Sequence, residues 1–201
     1  LPDTTTIILN NGWFADFVDV PTGDIFHDFV RKLVANGITA GCGGGSYCRN
    51  DAVKRKQMAV FLLKAKLGAA HVPPPATGTV FNDVPASDPF APWIEELASL
   101  SITGGCGGGA FCPEAPVRRD QMAVFLLKTL EGSSYTPPGC AGIFTDVECD
   151  PTPAFAVDWI EELYNRAVTG GCIPSPLQYC PLSSVLRGQM SAFLTKTFSL
   201  P

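Results

Sequence analysis

The chain has 201 residues, a formal charge of −5 and a pI near 4.9. It therefore lacks the Coulombic attraction to phosphate that underlies non-specific nucleic-acid binding, and DNA or RNA is excluded as a partner. The longest apolar stretches, such as MAVFLL from Met58, are broken by Lys64 and Lys66 well short of the roughly 20 residues a membrane-spanning helix needs, so no membrane span is expected.

The chain opens on LPDTTT with no initiator Met, basic region or apolar leader core, which fits a processed exported chain or a piece of a longer one. Residues 1–16 read as an extended segment. Thr4 to Leu9 has β-propensity and Asn11-Gly12 is a turn signal, so a short hairpin on the first repeat is expected, with pairing onto a neighbouring molecule's edge as the alternative.

Everything after residue 16 is one pattern written three times. Repeat 1, residues 17–67, runs FVDVP, NGITAGCGGGSYC, VKRKQMAVFLLK. A linker, 68–80, leads to repeat 2, residues 81–131, with FNDVP, SITGGCGGGAFC and VRRDQMAVFLLK. A second linker, 132–143, leads to repeat 3, residues 144–201, with FTDVE, AVTGGC, QYC and VLRGQMSAFLTK. The period of roughly 64 residues exceeds the 20–50 of common solenoid units, so each unit reads as a helical hairpin with elaborated loops. Alone, a unit of about 50 residues buries too little apolar surface, and the three should pack on one another.

Within repeat 2, Trp93, Ile94, Leu97, Ala98 and Leu100 fall at helical spacing behind Ser87, Asp88 and Pro89, which suit a helix start. Met122, Phe125, Leu126 and Thr129 mark a second helix, matched by Met58, Phe61, Leu62, Ala65 and by Met190, Phe193, Leu194, Thr197. Between the helices, glycines permit a tight reversal, with Gly41, Gly105 and Gly171 placed just before a cysteine. The loop lacks the Lys-Ser/Thr offset of a phosphate-binding loop. Pro-rich linkers favour extended connections.

The eight cysteines fall into four close pairs, Cys42-Cys48, Cys106-Cys112, Cys140-Cys149 and Cys172-Cys180. Zinc sites bring closer Cys knuckles or histidines together, and only His27 and His71 exist; no C-x-x-C dithiol is present. Local disulfides are the reading, each worth about 2–3 kcal/mol, and they imply an oxidising compartment. Other connectivities stay open from sequence alone.

Arg55, Arg119 and Arg187 begin the second helices, followed two residues later by Gln57, Gln121 and Gln189. A cation at a helix N-terminus opposes the dipole, so an anionic partner is expected. One candidate is the aspartate heading each copy, Asp19, Asp83 or Asp146, in a fork-like pair joining copy to copy. The other is an anionic group on a glycan. Trp93 and Trp159 recur before Ile-Glu-Glu as core or groove wall, with sugar stacking as the functional alternative. Adjacent Glu95-Glu96 and Glu161-Glu162 cannot face each other as glycosidase carboxylates do, and no nucleophile constellation surrounds either histidine. No catalytic residue, metal or cofactor is expected.

F-x-D-V-P, G-I-T-x-G and V-x-R-x-Q-M-A at this period resemble S-layer homology modules, three in tandem in a disulfide-bearing variant. The resemblance implies a mainly α fold in which helix-loop-helix repeats form a pseudo-threefold bundle. It also implies inter-repeat grooves that bind cell-envelope polysaccharide and so anchor an extracellular, cell-surface protein. Arg55, Arg119 and Arg187 match the arginine of the family's T-R-A-E signature, whereas Lys54, Arg118 and Leu186 replace its threonine and the three glutamines its acid. Asp19, Asp83, Asp146 and the three glycines are then groove loops. The rival expectation is a self-assembling subunit of a surface array or filament, whose partners are copies of itself.

Overall fold

A computed structural model describes residues 16–149 and 154–201. The hairpin expected for the N-terminal segment falls on residues outside this set, apart from Asp16. The described chain is mainly helical: α1 His27–Ala35, α2 Arg55–Leu67, α3 Ala91–Ser99, α4 Arg119–Glu131, α5 Val157–Asn165 and α6 Arg187–Thr197. One small antiparallel pair, β1 Ile173–Pro174 with β2 Leu177–Gln178, stiffens the longer loop of the third copy. None of these helices is long and apolar enough to cross a membrane.

The helix starts follow from local chemistry. Asp24 and Asp88 each accept the backbone N–H two residues on, at Phe26 (2.8 Å) and Phe90 (2.7 Å), and so turn the chain into α1 and α3. Ala154 stands at the matching point before α5, where no such carboxylate exists. Each second helix is preceded by an extended residue, Lys54, Arg118 or Leu186. The N–H of that residue donates to the side-chain oxygen of Gln57, Gln121 or Gln189 at 3.1, 3.2 and 3.1 Å. A glutamine at the third helical position thus supplies half of a capping box.

Packing runs from copy to copy. The first helix of one copy lies on the second helix of the copy before: α3 on α2, α5 on α4, and α1 on α6. The three second helices meet centrally, burying Met58, Leu62, Met122, Leu126, Met190 and Leu194 completely. Each such side chain contributes roughly 1.5–3 kcal/mol on removal from water.

Backbone bonds close the same circuit at the helix starts. Val53 N–H donates to Val185 O (2.9 Å), Val117 N–H to Val53 O (2.9 Å) and Val185 N–H to Val117 O (2.8 Å). Two residues on, the amides run the circuit the other way: Arg55 to Ala115 O, Arg119 to Ser183 O and Arg187 to Asp51 O, all 2.9 Å. The three arginine amides head helices and have no partner inside them, so the neighbouring copy satisfies what the helix cannot.

Candidate functional site

At each junction a buried arginine joins one copy to the next. Arg55 Nε donates to Phe111 O (2.7 Å), Arg119 Nε to Tyr179 O (2.8 Å) and Arg187 Nε to Tyr47 O (2.8 Å). Each guanidinium lies between two rings. Arg55 has Phe111 at 4.8 Å and Phe125 at 5.6 Å; Arg119 has Tyr179 at 4.6 Å and Phe193 at 5.5 Å; Arg187 has Tyr47 at 4.8 Å and Phe61 at 5.6 Å. Two junctions gain a return bond, Tyr47 Oη to Arg187 O (3.0 Å) and Tyr179 Oη to Arg119 O (2.9 Å). Phe111 has no hydroxyl to make it.

The arginines are 2%, 3% and 5% exposed, and in each the Nη2 nitrogen is buried without an acceptor among the described residues. Burial pushes the guanidinium pKa of Arg55 and Arg119 down. The opposing Coulombic influences are Asp83 on Arg55, and Tyr179 with Asp146 on Arg119. Burial likewise raises the Tyr47 phenol to about 12 and lifts that of Tyr179.

The aspartates sit one step behind, and the fork-like Arg–Asp pair is not what forms. Asp83 accepts from Phe111 and Cys112 N–H, both at 2.7 Å, and Asp146 from Tyr179 and Cys180 N–H, both at 2.7 Å. Asp19 accepts from Tyr47 (2.7 Å) and Arg49 (3.2 Å) N–H. The carboxylate satisfies loop amides, and the loop then offers the arginine its carbonyl and ring. For Asp19, burial would raise the pKa, but the combined loop N–H bonds outweigh it and lower it.

The glycines before the first cysteine make the reversal possible. Gly41, Gly105 and Gly171 hold φ of +90°, +88° and +85°, and a Cβ at any of them would strike a loop carbonyl and the ring of Phe17, Phe81 or Phe144. All four cysteine pairs read from the sequence are disulfides. Asp146, Cys172 and Cys180 lie together, but the disulfide leaves no thiolate there for a metal.

Trp93 and Trp159 are partly buried walls with occupied faces. Lys64 lies over Trp93 and His71 packs on its edge; Lys128 and Tyr135 do the same at Trp159. The neighbouring glutamates, which sequence reasoning set aside with catalysis, hold the chain just ahead of the second and third F-x-D-V turns. Glu95 accepts from Thr77 and Gly78 N–H (2.7 Å each), and Glu161 from Ile143 N–H (2.7 Å) and Ala141 N–H (2.5 Å). Glu96 pairs with His71 (2.7 Å) and Glu162 with the Tyr135 hydroxyl (2.8 Å). Their recurrence as Trp-Ile-Glu-Glu after each linker was the available signal.

His27 also has a defined role. It is buried at the start of α1, with Nε2 2.9 Å from Asp16 and Nδ1 3.0 Å from Asp28. Burial alone would lower the imidazole pKa, but bonds to Asp28 and Asp16 and their charges outweigh it and raise it. Its stabilisation is fully present below the unfolded value near 6.5 and is lost as pH rises through the higher folded value. The stability difference between wild type and His27→Gln, measured in urea, should shrink steadily above pH 7; a pH-independent difference would contradict the charged bridge.

A groove of about 400 Å³ lies between the C-terminal ends of α2 and α4, lined by Leu67, Leu100, Ile102, Lys128, Leu130 and Glu131. At the matching point of the next junction Glu131 and Arg166 form an ion pair, whereas here Leu67 and Leu100 remain 46% and 45% exposed.

No curated protein matches the chain. A family model described as S-layer homology domain matches two stretches; domains of this family generally anchor proteins to cell-wall polysaccharides. The copies at residues 16–59 and 80–123, with the arginines and aspartates just described, are thus similar to S-layer homology domains.

Proposed function

We infer that the chain is a non-catalytic anchoring module that holds a protein at the cell surface by binding envelope polysaccharide between its copies. The observation that carries this is the recurrence, at all three junctions, of a buried guanidinium whose Nη2 donor lacks an acceptor among the described residues. An unpaired buried donor costs about 1–3 kcal/mol, which an oxygen of an entering glycan, and best an anionic one, would recover. Arg55, Arg119 and Arg187 are assigned to that contact. Gln57, Gln121 and Gln189 stand two residues further along the same helices, and the aspartate and glycine loops hold its shape; Trp93 and Trp159, covered by Lys64 and Lys128, are left outside this contact.

Residues 144–201 are read as a third module of the same kind, in a disulfide-bearing variant, because Asp146, Cys172-Cys180 and Arg187 repeat the set of the matched stretches. The circuit of hydrogen bonds from copy to copy supports a pseudo-threefold arrangement, with 68–80 and 132–143 as linkers. The disulfides fit an extracellular location.

A second reading, a self-assembling array or filament subunit, is favoured by the exposed Leu67 and Leu100 where the next junction has an ion pair. Co-sedimentation of the oxidised chain with purified envelope polysaccharide separates the two. Pelleting only with glycan, weakened by salt, is the expected result. Ordered polymers in a glycan-free control seen by negative-stain electron microscopy would overturn the anchor and support the subunit.

A further inference from the structure

Each arginine is received by a short ring of chain that a disulfide closes. The receiving residue immediately precedes the second cysteine: Tyr47 before Cys48, Phe111 before Cys112, Tyr179 before Cys180. Those second cysteines hold φ of +59°, +59° and +58°, a left-handed backbone that non-glycine residues keep only when their surroundings impose it. In the first two rings the intervening chain is glycine-rich, Gly43 to Gly45 and Gly107 to Gly109, so an unclosed ring would gain much backbone freedom. The first cysteine of each pair, Cys42, Cys106 or Cys172, is exposed, and the second is half-buried. The fourth disulfide, Cys140-Cys149, begins in a linker and receives no arginine.

We propose that the three ring disulfides are a redox interlock: oxidation shapes the sockets that accept the arginines and joins the copies, and reduction opens the junctions. The chemistry is ordinary exchange with a dithiol. One thiolate of the reagent attacks the exposed sulfur, for instance Cys106, and Cys112 leaves as a thiolate. The second reagent thiol closes on the mixed disulfide and releases Cys106. Two electrons and two protons pass from the dithiol to the protein, giving two protein thiols and one cyclic reagent disulfide. Without its closure the ring must hold Tyr47 or Phe111 in place by the aspartate bonds and one short bridge, Gly43 with Ser46 or Gly107 with Ala110. The third ring has the longer brace, two paired positions between β1 and β2 where the others have one bridge each, and opens last. Copies made where thiols are kept reduced stay unjoined, and they lock on reaching an oxidising compartment.

Hydrogen exchange on the intact chain tests this without any glycan, so its outcome is separate from the anchoring reading. The amides of Val53, Arg55, Val117, Arg119, Val185 and Arg187 all donate to another copy. They should exchange about 50-fold faster after dithiothreitol reduction and alkylation, the loop-closure value for so short a ring. Interior amides of α2, α4 and α6 should change far less. Cys106→Ser/Cys112→Ser should loosen the Arg55 junction first, while Cys140→Ser/Cys149→Ser leaves all three protected. If the paired variant does not fold, the reduced wild type, made from folded protein, gives the readout. Unchanged cross-copy amides after reduction, or uniform acceleration that includes helix interiors, would overturn the interlock.

Discussion

Arg119→Ala should destabilise the protein by about 3–5 kcal/mol, a large share of the roughly 5–15 kcal/mol that holds a domain folded. The substitution removes the Nε bond to Tyr179 O and two ring contacts, and it strands that carbonyl beside a fully buried phenol. Arg119→Lys should recover less than half of the loss. An ammonium keeps the charge but has neither the planar face between Tyr179 and Phe193 nor the side-on Nε donor. Urea unfolding followed by tryptophan fluorescence and far-ultraviolet circular dichroism measures both variants. A cost below about 1 kcal/mol for the alanine variant would show that the guanidinium is not a strut, since surface arginines lose no more than that.

The second large effect is expected at Asp83. Its carboxylate takes two loop amides at 2.7 Å, and charged acceptors of this kind contribute about 1.5–3 kcal/mol each. Asp83→Ala should therefore cost about 3–4 kcal/mol, and Asp83→Asn less, because the amide retains one acceptor oxygen. Phe111, which Asp83 positions, is also the residue that receives Arg55. Once the loop is lost there is less for the arginine to bind, so Asp83→Ala and Arg55→Ala should be less than additive by about 1 kcal/mol or more. Additivity within about 0.5 kcal/mol would mean that the aspartate and the arginine act separately.

The helical class and the helix faces were legible because apolar spacing reports which side of a helix is buried, and Met58, Met122 and Met190 are buried as their spacing requires. The cysteine pairs were legible for a similar reason. Close spacing leaves a short loop whose closure is cheap, and all four local pairs form. The start of α3 was also readable from Asp88, although the helix ends at Ser99, one residue before Leu100, which lies exposed at the groove. The recurrence of Glu95 and Glu161 in Trp-Ile-Glu-Glu was readable, but nothing in a pair of adjacent acids tells which backbone amides will pass in front of them.

The partner of each arginine shows where chain-level reasoning stops. Composition, periodicity and repeat comparison established that a cation at a helix start recurs three times and calls for an anionic partner, with the aspartate of the F-x-D-V turn and a glycan anion as the two candidates. They could not say that the aspartate is spent on loop amides, or that the guanidinium is met by a carbonyl and two rings from the following copy. Arg187 bonds to Tyr47, 140 positions away, because the third copy meets the first. Periodicity acts within a few residues along one chain segment, so it determines helices, turns and local disulfides. Which carbonyl fills which donor is decided only when distant segments pack and compete for the same buried groups.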